Sequence, residues 1–230
     1  PDWFFDNARR YDTYDRKGPK VFAGEYASHH YPSKKANNFL AALSEAAFMT
    51  GLERNADVVR LATYAPLFAH VDAWQWNPDL IWFDNLRCLK TVNYYVQQLY
   101  SRYKGTEVLK TMTQDGQPLA GQDGLYASAV KDSKANTLII KVVNRNSLPS
   151  DLSVQLDAYK QAVADVTCLC LQSDDLMAVN TFDRPDRLQP TETAMELVGG
   201  HFEWTVLPQS FTILVIRLGD QKASAKGKQP

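Results

Sequence analysis

Val21-Phe22-Ala23-Gly24-Glu25-Tyr26 is the stretch on which the reading of the N-terminal half turns. It is short and mostly apolar, with Gly18-Pro19 before it and His29-His30 after it, as expected of a parallel strand buried on both faces. Working outward, Ser33 to Gly51 carries Ala36, Phe39, Leu40, Leu43, Ala47 and Thr50 at spacings of three or four. That predicts a helix with Ser33 as its N-cap and Gly51 as its stop. A second apolar run, Leu61-Ala62-Thr63-Tyr64-Ala65-Pro66-Leu67-Phe68, predicts the next strand, with Pro66 ending its regular pairing. The aromatic loop Asp72-Ala73-Trp74-Gln75-Trp76-Asn77-Pro78 follows, then a helix from about Thr91 to Tyr103. Upstream, Asp2 to Tyr14 has a helical stripe of Trp3, Phe4 or Phe5, Ala8 and Tyr11, closed by Gly18-Pro19. Strand, helix, strand, loop, helix is the order of two consecutive β/α units.

From about Glu107 the period changes to two. Strands are predicted near Glu107–Thr113, Leu125–Lys131, Thr137–Asn144, Leu152–Leu156, Asp165–Leu171, Glu192–Leu197, His201–Val206 and Phe211–Leu218. Asp115-Gly116, Asp123-Gly124, Pro208 and a hairpin turn at Gly199-Gly200 separate them. Such a series reads as an antiparallel β-sandwich. The expected division is an α/β part over residues 1–104, the sandwich over 105–219, and a disordered tail over 220–230.

Composition narrows the partners. The chain has 230 residues, 45% hydrophobic and 22% charged, which suits a folded globular protein and not a disordered or fibrous one. A formal net charge of -1 supplies no electrostatic footprint for nucleic acid. No apolar run approaches the roughly 18 residues a membrane-spanning helix needs. Cys88, Cys168 and Cys170 make no disulfide framework, and no spacing of Cys and His suits zinc, so neither metal nor cofactor is expected. Cys168 and Cys170, two apart, should share one side of a core strand. The chain opens on Pro1-Asp2-Trp3-Phe4-Phe5, without an initiator Met or a signal peptide, and is expected to be a fragment.

Glu25 is the residue most suited to chemistry. By alternation Val21, Ala23 and Glu25 share a face and Tyr26 points the other way, into packing. On a barrel strand that order places the carboxylate at the carboxyl end, where barrel enzymes keep reacting groups. The bland reading is a strand-end Glu paired with a neighbouring Arg, since an unpaired buried carboxylate is costly. Asp72, Gln75, Asn77, Trp74 and Trp76 would share the same rim. Indole faces with amides and carboxylates suit a carbohydrate, although the two Trp could simply plug the barrel. His29 and His30, adjacent on the chain, point apart and read as a solvated loop. Gly-rich phosphate cradles, GxSxG, HExxH and EF-hand loops are absent from the sequence.

Taken as blocks in order, Gly24-Glu25-Tyr26-Ala27, Leu43-Ser44-Glu45-Ala46-Ala47-Phe48-Met49-Thr50-Gly51-Leu52-Glu53-Arg54-Asn55, Tyr64-Ala65-Pro66-Leu67-Phe68, Trp76-Asn77-Pro78-Asp79 and Pro208-Gln209-Ser210-Phe211-Thr212 resemble the carboxyl half of the α-L-arabinofuranosidases of glycoside hydrolase family 51. The resemblance covers about residues 1 to 218. It implies the last two β/α units of a (β/α)8 TIM barrel followed by the β-sandwich. It also implies retaining hydrolysis of terminal α-L-arabinofuranosyl groups on hemicellulose or pectin side chains, in a periplasmic or extracellular setting. Matched residue by residue, Glu25 takes the place of the nucleophile; Leu61–Phe68 would then be the eighth strand and Trp76-Asn77-Pro78 the rim loop beyond it, and Trp76, Gln75 and Asn77 are the residues of that loop region expected to bind substrate. The family's acid/base glutamate, in an Asn-Glu pair on the fourth strand, has no counterpart here, so this chain alone is expected to be inactive. Two other readings stand beside it. One is a non-catalytic carbohydrate-binding sandwich using surface aromatics such as Trp204; the other is a structural piece whose open strand edges lead to a homo-oligomer.

Overall fold

The protein is described by a computed structural model covering residues 1–30, 36–156, 163–195, 197 and 199–218. Helix α1 (Asp2–Asp6) is followed by turns, and β1 (Val21–Tyr26) leads to α2 (Phe39–Arg54) and β2 (Val59–Tyr64). β1 and β2 pair in parallel across α2, a βαβ unit. The predicted helix over Asp2–Tyr14 shrinks to the five residues of α1.

α2 decides how the molecule is layered. Twelve of its sixteen residues are buried, so it is apolar nearly all round and not striped on one face. Asn38 caps it, accepting the Ala41 N–H at 2.9 Å, while the predicted cap Ser33 lies outside the described residues. Gly51 does not stop it. The helix runs on to Arg54, and a Cβ on Gly51 would lie 2.1 Å from the Ala8 carbonyl oxygen. Its glycine is therefore required for close approach of the segment after α1, not for a turn.

Between β2 and the next helix the chain forms a small sheet that the sequence did not suggest. β3 (Phe68–His70) pairs in parallel with β4 (Ile81–Phe83), which pairs antiparallel with β5 (Cys88–Lys90). The predicted strand Leu61–Phe68 is thus two strands, broken after Tyr64 where a cis Ala65–Pro66 bond intervenes. α3 (Val92–Arg102) is the helix expected from about Thr91 to Tyr103, and Thr91 caps it by accepting the Tyr94 N–H.

β6 (Glu107–Leu109), β7 (Leu125–Asp132), β8 (Thr137–Asn144), β9 (Ser150–Gln155), β10 (Val163–Gln172), β11 (Thr191–Met195), β12 (His201–Val206) and β13 (Ser210–Leu218) complete the chain. Six of them form one antiparallel sheet in the order β11-β10-β13-β8-β7-β6, and β9 pairs with β12 in a second. On β8, Leu138, Ile140 and Val142 face the β9–β12 pair and pack with Phe202, Trp204 and Val206. Ile139 and Val143 face the other way and pack with Phe39, Leu43, Ala47 and Leu99 of α2 and α3. The large sheet is therefore a middle layer, with helices on one face and the short sheet on the other.

Two sequence expectations fail, one because consecutive strands lie in different sheets and one because alternation along β12 turns Trp204 inward. Gly199-Gly200 joins β11 to β12, which lie in different sheets, so it is a crossover and not a hairpin turn. Trp204 is only 7% exposed, inside the sandwich, and presents no ring to a ligand. Cys168 and Cys170 are half-buried on β10, and burial pushes both thiols up. The predicted tail over 220–230 lies outside the described residues.

Candidate active site

The end of β1 is irregular, and that irregularity builds the site. Ala23 pairs with Ala62 and Tyr26 with Tyr64, so Gly24 and Glu25 together oppose the single residue Thr63. Two residues against one is a β-bulge, which bends the strand and re-aims side chains. The Thr63 hydroxyl donates to the Gly24 carbonyl inside it. Simple alternation is broken as a result. Val21 and Tyr26, five apart, both pack against the cluster of Phe4, Tyr11, Phe48, Leu52 and Val59, whereas Phe22 and Glu25 are both exposed. Val21, Ala23 and Glu25 therefore do not share one face. Glu25 makes no ion pair among the described residues, which removes the bland reading of a strand-end Glu held by an Arg.

Behind Glu25 the wall is polar but closed. Tyr26 has the packing role expected of it, against Phe4, Phe48 and Tyr64, and its hydroxyl also donates to Gln97 Oε1 at 2.7 Å. Burial raises its phenol, and the nearby Glu45 adds to that. Gln97 Nε2 donates to Glu45 Oε2 at 3.3 Å, and the Ser28 N–H donates to Glu45 Oε1 at 2.7 Å. The Ser28 and Ser44 hydroxyls are 2.7 Å apart. Glu45 is completely buried in the middle of α2; burial pushes its carboxyl up to about 8 in spite of its polar neighbours Ser28, Asn93 and Gln97. Beside this group Asn37 Nδ2 donates to the Tyr64 hydroxyl at 3.2 Å, and Trp82 Nε1 donates to Asn37 Oδ1 at 3.4 Å. Asp79 is 2% exposed, its Oδ2 has no hydrogen-bond partner, and burial lifts it to about 6.

The rim residues fall on the link between β3 and β4. Asp72, Trp74, Gln75 and Trp76 are exposed, Trp76 by 65%, and Asn77 is half-buried before a cis bond to Pro78. Trp74 meets Trp82 edge-on at 6.1 Å. Among the described residues no hydrogen bond or ring contact ties Gln75, Trp76 or Asn77 to Glu25. His29 is exposed, while His30 Nδ1 is buried without a partner, so only one of the pair is as solvated as expected. No group of three or more His, Cys, Asp or Glu suited to a metal ion occurs among the described residues.

The buried members of the network were not singled out from sequence. Glu45 had a signal, since it stands in Leu40-Ala41-Ala42-Leu43-Ser44-Glu45-Ala46-Ala47-Phe48, where a carboxylate is costly unless hydrogen-bonded. Asn37, Tyr64, Gln97 and Asp79 carried none, because their partners come from distant segments.

A family model described as the alpha-L-arabinofuranosidase C-terminal domain matches residues 24–210. An extracellular exo-alpha-L-arabinofuranosidase of Streptomyces chartreusis is 53% identical over 157 residues, covering 66% of this chain and 18% of that protein. Alpha-L-arabinofuranosidase 1 of Arabidopsis thaliana is 34% identical, covering 98% of this chain and 33% of its own length. The fold superposes on an arabinose-bound GH51 α-L-arabinofuranosidase with a TM-score of 0.83 at 30% identity, over 94% of this chain and 35% of that one. The chain thus spans about a third or less of the curated relatives named here.

Proposed function

Because the chain belongs to the alpha-L-arabinofuranosidase C-terminal domain family, we propose that it forms part of a retaining α-L-arabinofuranosidase in which Glu25 is the nucleophile. The observation that carries this reading is the bulge: it leaves a carboxylate exposed, with no ion pair among the described residues, at the carboxyl end of a parallel strand. Residues 1–104 supply the last two β/α units of a (β/α)8 barrel and residues 105–219 the sandwich that buttresses them. Phe22 and Leu61, each 60% exposed on the β1–β2 pair, are what further barrel strands would cover.

In the mechanism the Glu25 carboxylate attacks the anomeric carbon of a terminal arabinofuranosyl group as the glycosidic bond breaks, and a covalent glycosyl-enzyme forms. A second carboxyl group, about 5 Å from the first, protonates the leaving oxygen and then activates water. No carboxyl of this chain is assigned that role. Glu45 is sealed in the core, and Asp72 is given no such part by the family resemblance. The partner carboxyl is assigned to the remainder of a longer protein, so the 230 residues alone are inactive. Trp76 offers an indole face to the sugar, and Gln75 and Asn77 offer amides to its hydroxyls. The substrate is an arabinofuranoside-bearing oligosaccharide or polysaccharide, and the setting extracellular or periplasmic, in keeping with the name of the Streptomyces relative.

The test is turnover of 4-nitrophenyl α-L-arabinofuranoside by the full-length protein and by this chain. Full-length activity should fall at least about a thousandfold in Glu25→Ala and return in part with azide as external nucleophile. Enzyme-like turnover by the 230 residues alone would overturn the assignment of the second carboxyl.

A further inference from the structure

We infer that Glu45 is a positioning residue for the reaction: from inside α2 it fixes the carboxyl end of β1 and so sets the direction of the Glu25 carboxylate. This rests on the reading of Glu25 as the nucleophile.

A bulged residue is freed from the ladder, so its neighbours decide where its side chain points. On the N-terminal side of Glu25, Ala23 is held by pairing with Ala62. On the C-terminal side two attachments lead to one carboxyl group. Ser28 N–H donates to Glu45 Oε1 at 2.7 Å, and the Tyr26 hydroxyl donates to Gln97, whose amide donates to Glu45 Oε2. Beyond Tyr26 the pairing with β2 has ended, and the Ala65 N–H to Tyr26 carbonyl bond at 3.2 Å is the last backbone tie between the two strands. Without Glu45 the Ser28 N–H and the Gln97 amide of α3 lose their acceptor inside the core, which is costly enough to move the segment after β1 that carries Ser28 and to loosen the hold of Gln97 on Tyr26. Glu45 itself touches neither solvent nor the exposed face of the bulge, because it is fully buried. It acts through the strand, not on the sugar.

Among the described residues Glu45 makes no ion pair, and a buried carboxyl without one has weak reason to exist for stability alone, since an apolar residue would fill the space without desolvation cost. One of its oxygens accepts directly from the Ser28 N–H, and the other reaches Tyr26 only through the Gln97 amide. Both bonds run from donor to carboxyl oxygen, and a Gln in the same place keeps an acceptor for Ser28 and can meet a turned Gln97 amide.

The experiment uses the full-length protein with 4-nitrophenyl α-L-arabinofuranoside and compares Glu45→Ala, Glu45→Gln and Gln97→Leu, each with Glu25 present and with Glu25→Ala rescued by azide. With Glu25 present, Glu45→Ala should lower kcat about ten- to a hundredfold with KM changed less than about threefold, the signature of a misplaced reacting group. Glu45→Gln should restore activity to within about threefold, and Gln97→Leu should fall between. In the azide-rescued background the same changes should cost less than about twofold, because azide needs no strand to aim it. Equal losses in both backgrounds, or no loss in kcat with Glu25 present, would overturn the inference. If Glu45→Ala does not fold, Gln97→Leu and Glu45→Gln carry the same comparison. Full activity in Glu25→Ala would instead sink the nucleophile reading while leaving the geometry of Glu45 as it stands.

Discussion

Beneath β1, the N-terminal half of α2 buries Glu45 among neutral hydrogen-bond donors, whereas its C-terminal end sets Glu53 against the ammonium of Lys141 on β8. The Lys141 side chain is fully buried. Its Nζ lies 2.6 Å from Glu53 Oε1 and 2.6 Å from the Tyr103 carbonyl, with the Tyr100 ring 5.3 Å away. Ser128 of β7 donates to the other Glu53 oxygen at 2.6 Å. Arg54 adds bonds to the Ala8 carbonyl and to Asp12. One end of the helix is thus locked to the large sheet by complementary charge, and the other holds a strand end through a carboxyl that makes no ion pair among the described residues. Burial then has opposite consequences: it raises the Glu45 carboxyl, and it lowers the Lys141 ammonium against the pull of Glu53. The difference teaches that the same helix serves as an anchor at one end and as an adjustable support for the reacting strand at the other.

The largest expected effect lies at the anchored end. Lys141→Ala should cost about 3–5 kcal/mol in denaturant unfolding, because it leaves Glu53, whose side chain is only 11% exposed, without its cation. Lys141→Met with Glu53→Leu should cost far less, and an equal cost for the double change would break the picture of a charge-matched lock.

At the other end the sign of the pH dependence should reveal the uncompensated carboxyl. The Glu45 pKa rises on folding from 4.5 to about 8, so between those values the folded state binds more protons than the unfolded one. Its contribution to stability is therefore fully present below about 4.5 and is lost as pH rises through about 8. The slope should approach at most about 1.4 kcal/mol per pH unit and amount to a few kcal/mol over the window. Denaturation midpoints of the protein and of Glu45→Gln, measured from pH 4 to pH 9 in about unit steps, should diverge with pH; parallel curves would mean that folding leaves the Glu45 pKa unshifted.

Smaller effects test the frame around both ends. Gly51→Ala should destabilise by about 1–3 kcal/mol, since its Cβ would strike the Ala8 carbonyl that Arg54 also engages. Asn38→Ala should cost about 1 kcal/mol through loss of the cap on the Ala41 N–H, seven residues before Glu45 and far from the Lys141 lock. Thermal melts that rank these two the other way would show that the close approach at Gly51 relaxes easily.

Much of the architecture was legible along the chain. Val21–Tyr26, Thr137–Asn144 and His201–Val206 are strands with the expected bounds, and Thr91 caps the expected helix. Their periods of two and 3.6 reflect local burial, and neighbouring residues suffice to show it. The small β3–β5 sheet escaped because three-residue strands carry too few positions to establish a period. Gly51 was misread because a glycine near the end of an apolar run signals a stop as readily as a close approach, and only the position of Ala8 separates the two. In the candidate site Glu25 could be chosen from its place at the end of an apolar strand. The bulge could not, because it exists only in the register of β1 against β2.

By itself the sequence determined which segments are strands and helices, and which acid ends a buried strand, because those properties depend on patterns a few residues long. Only the tertiary structure decided that Glu25 is exposed, that among the described residues Glu45 has hydrogen-bond donors but neither it nor Glu25 makes an ion pair, and that Lys141 has Glu53. Each of those outcomes depends on groups brought together from far along the chain, as Gln97 is to Tyr26 and Lys141 to Glu53, and the free energy of a buried charge is set by such partners rather than by its neighbours in sequence.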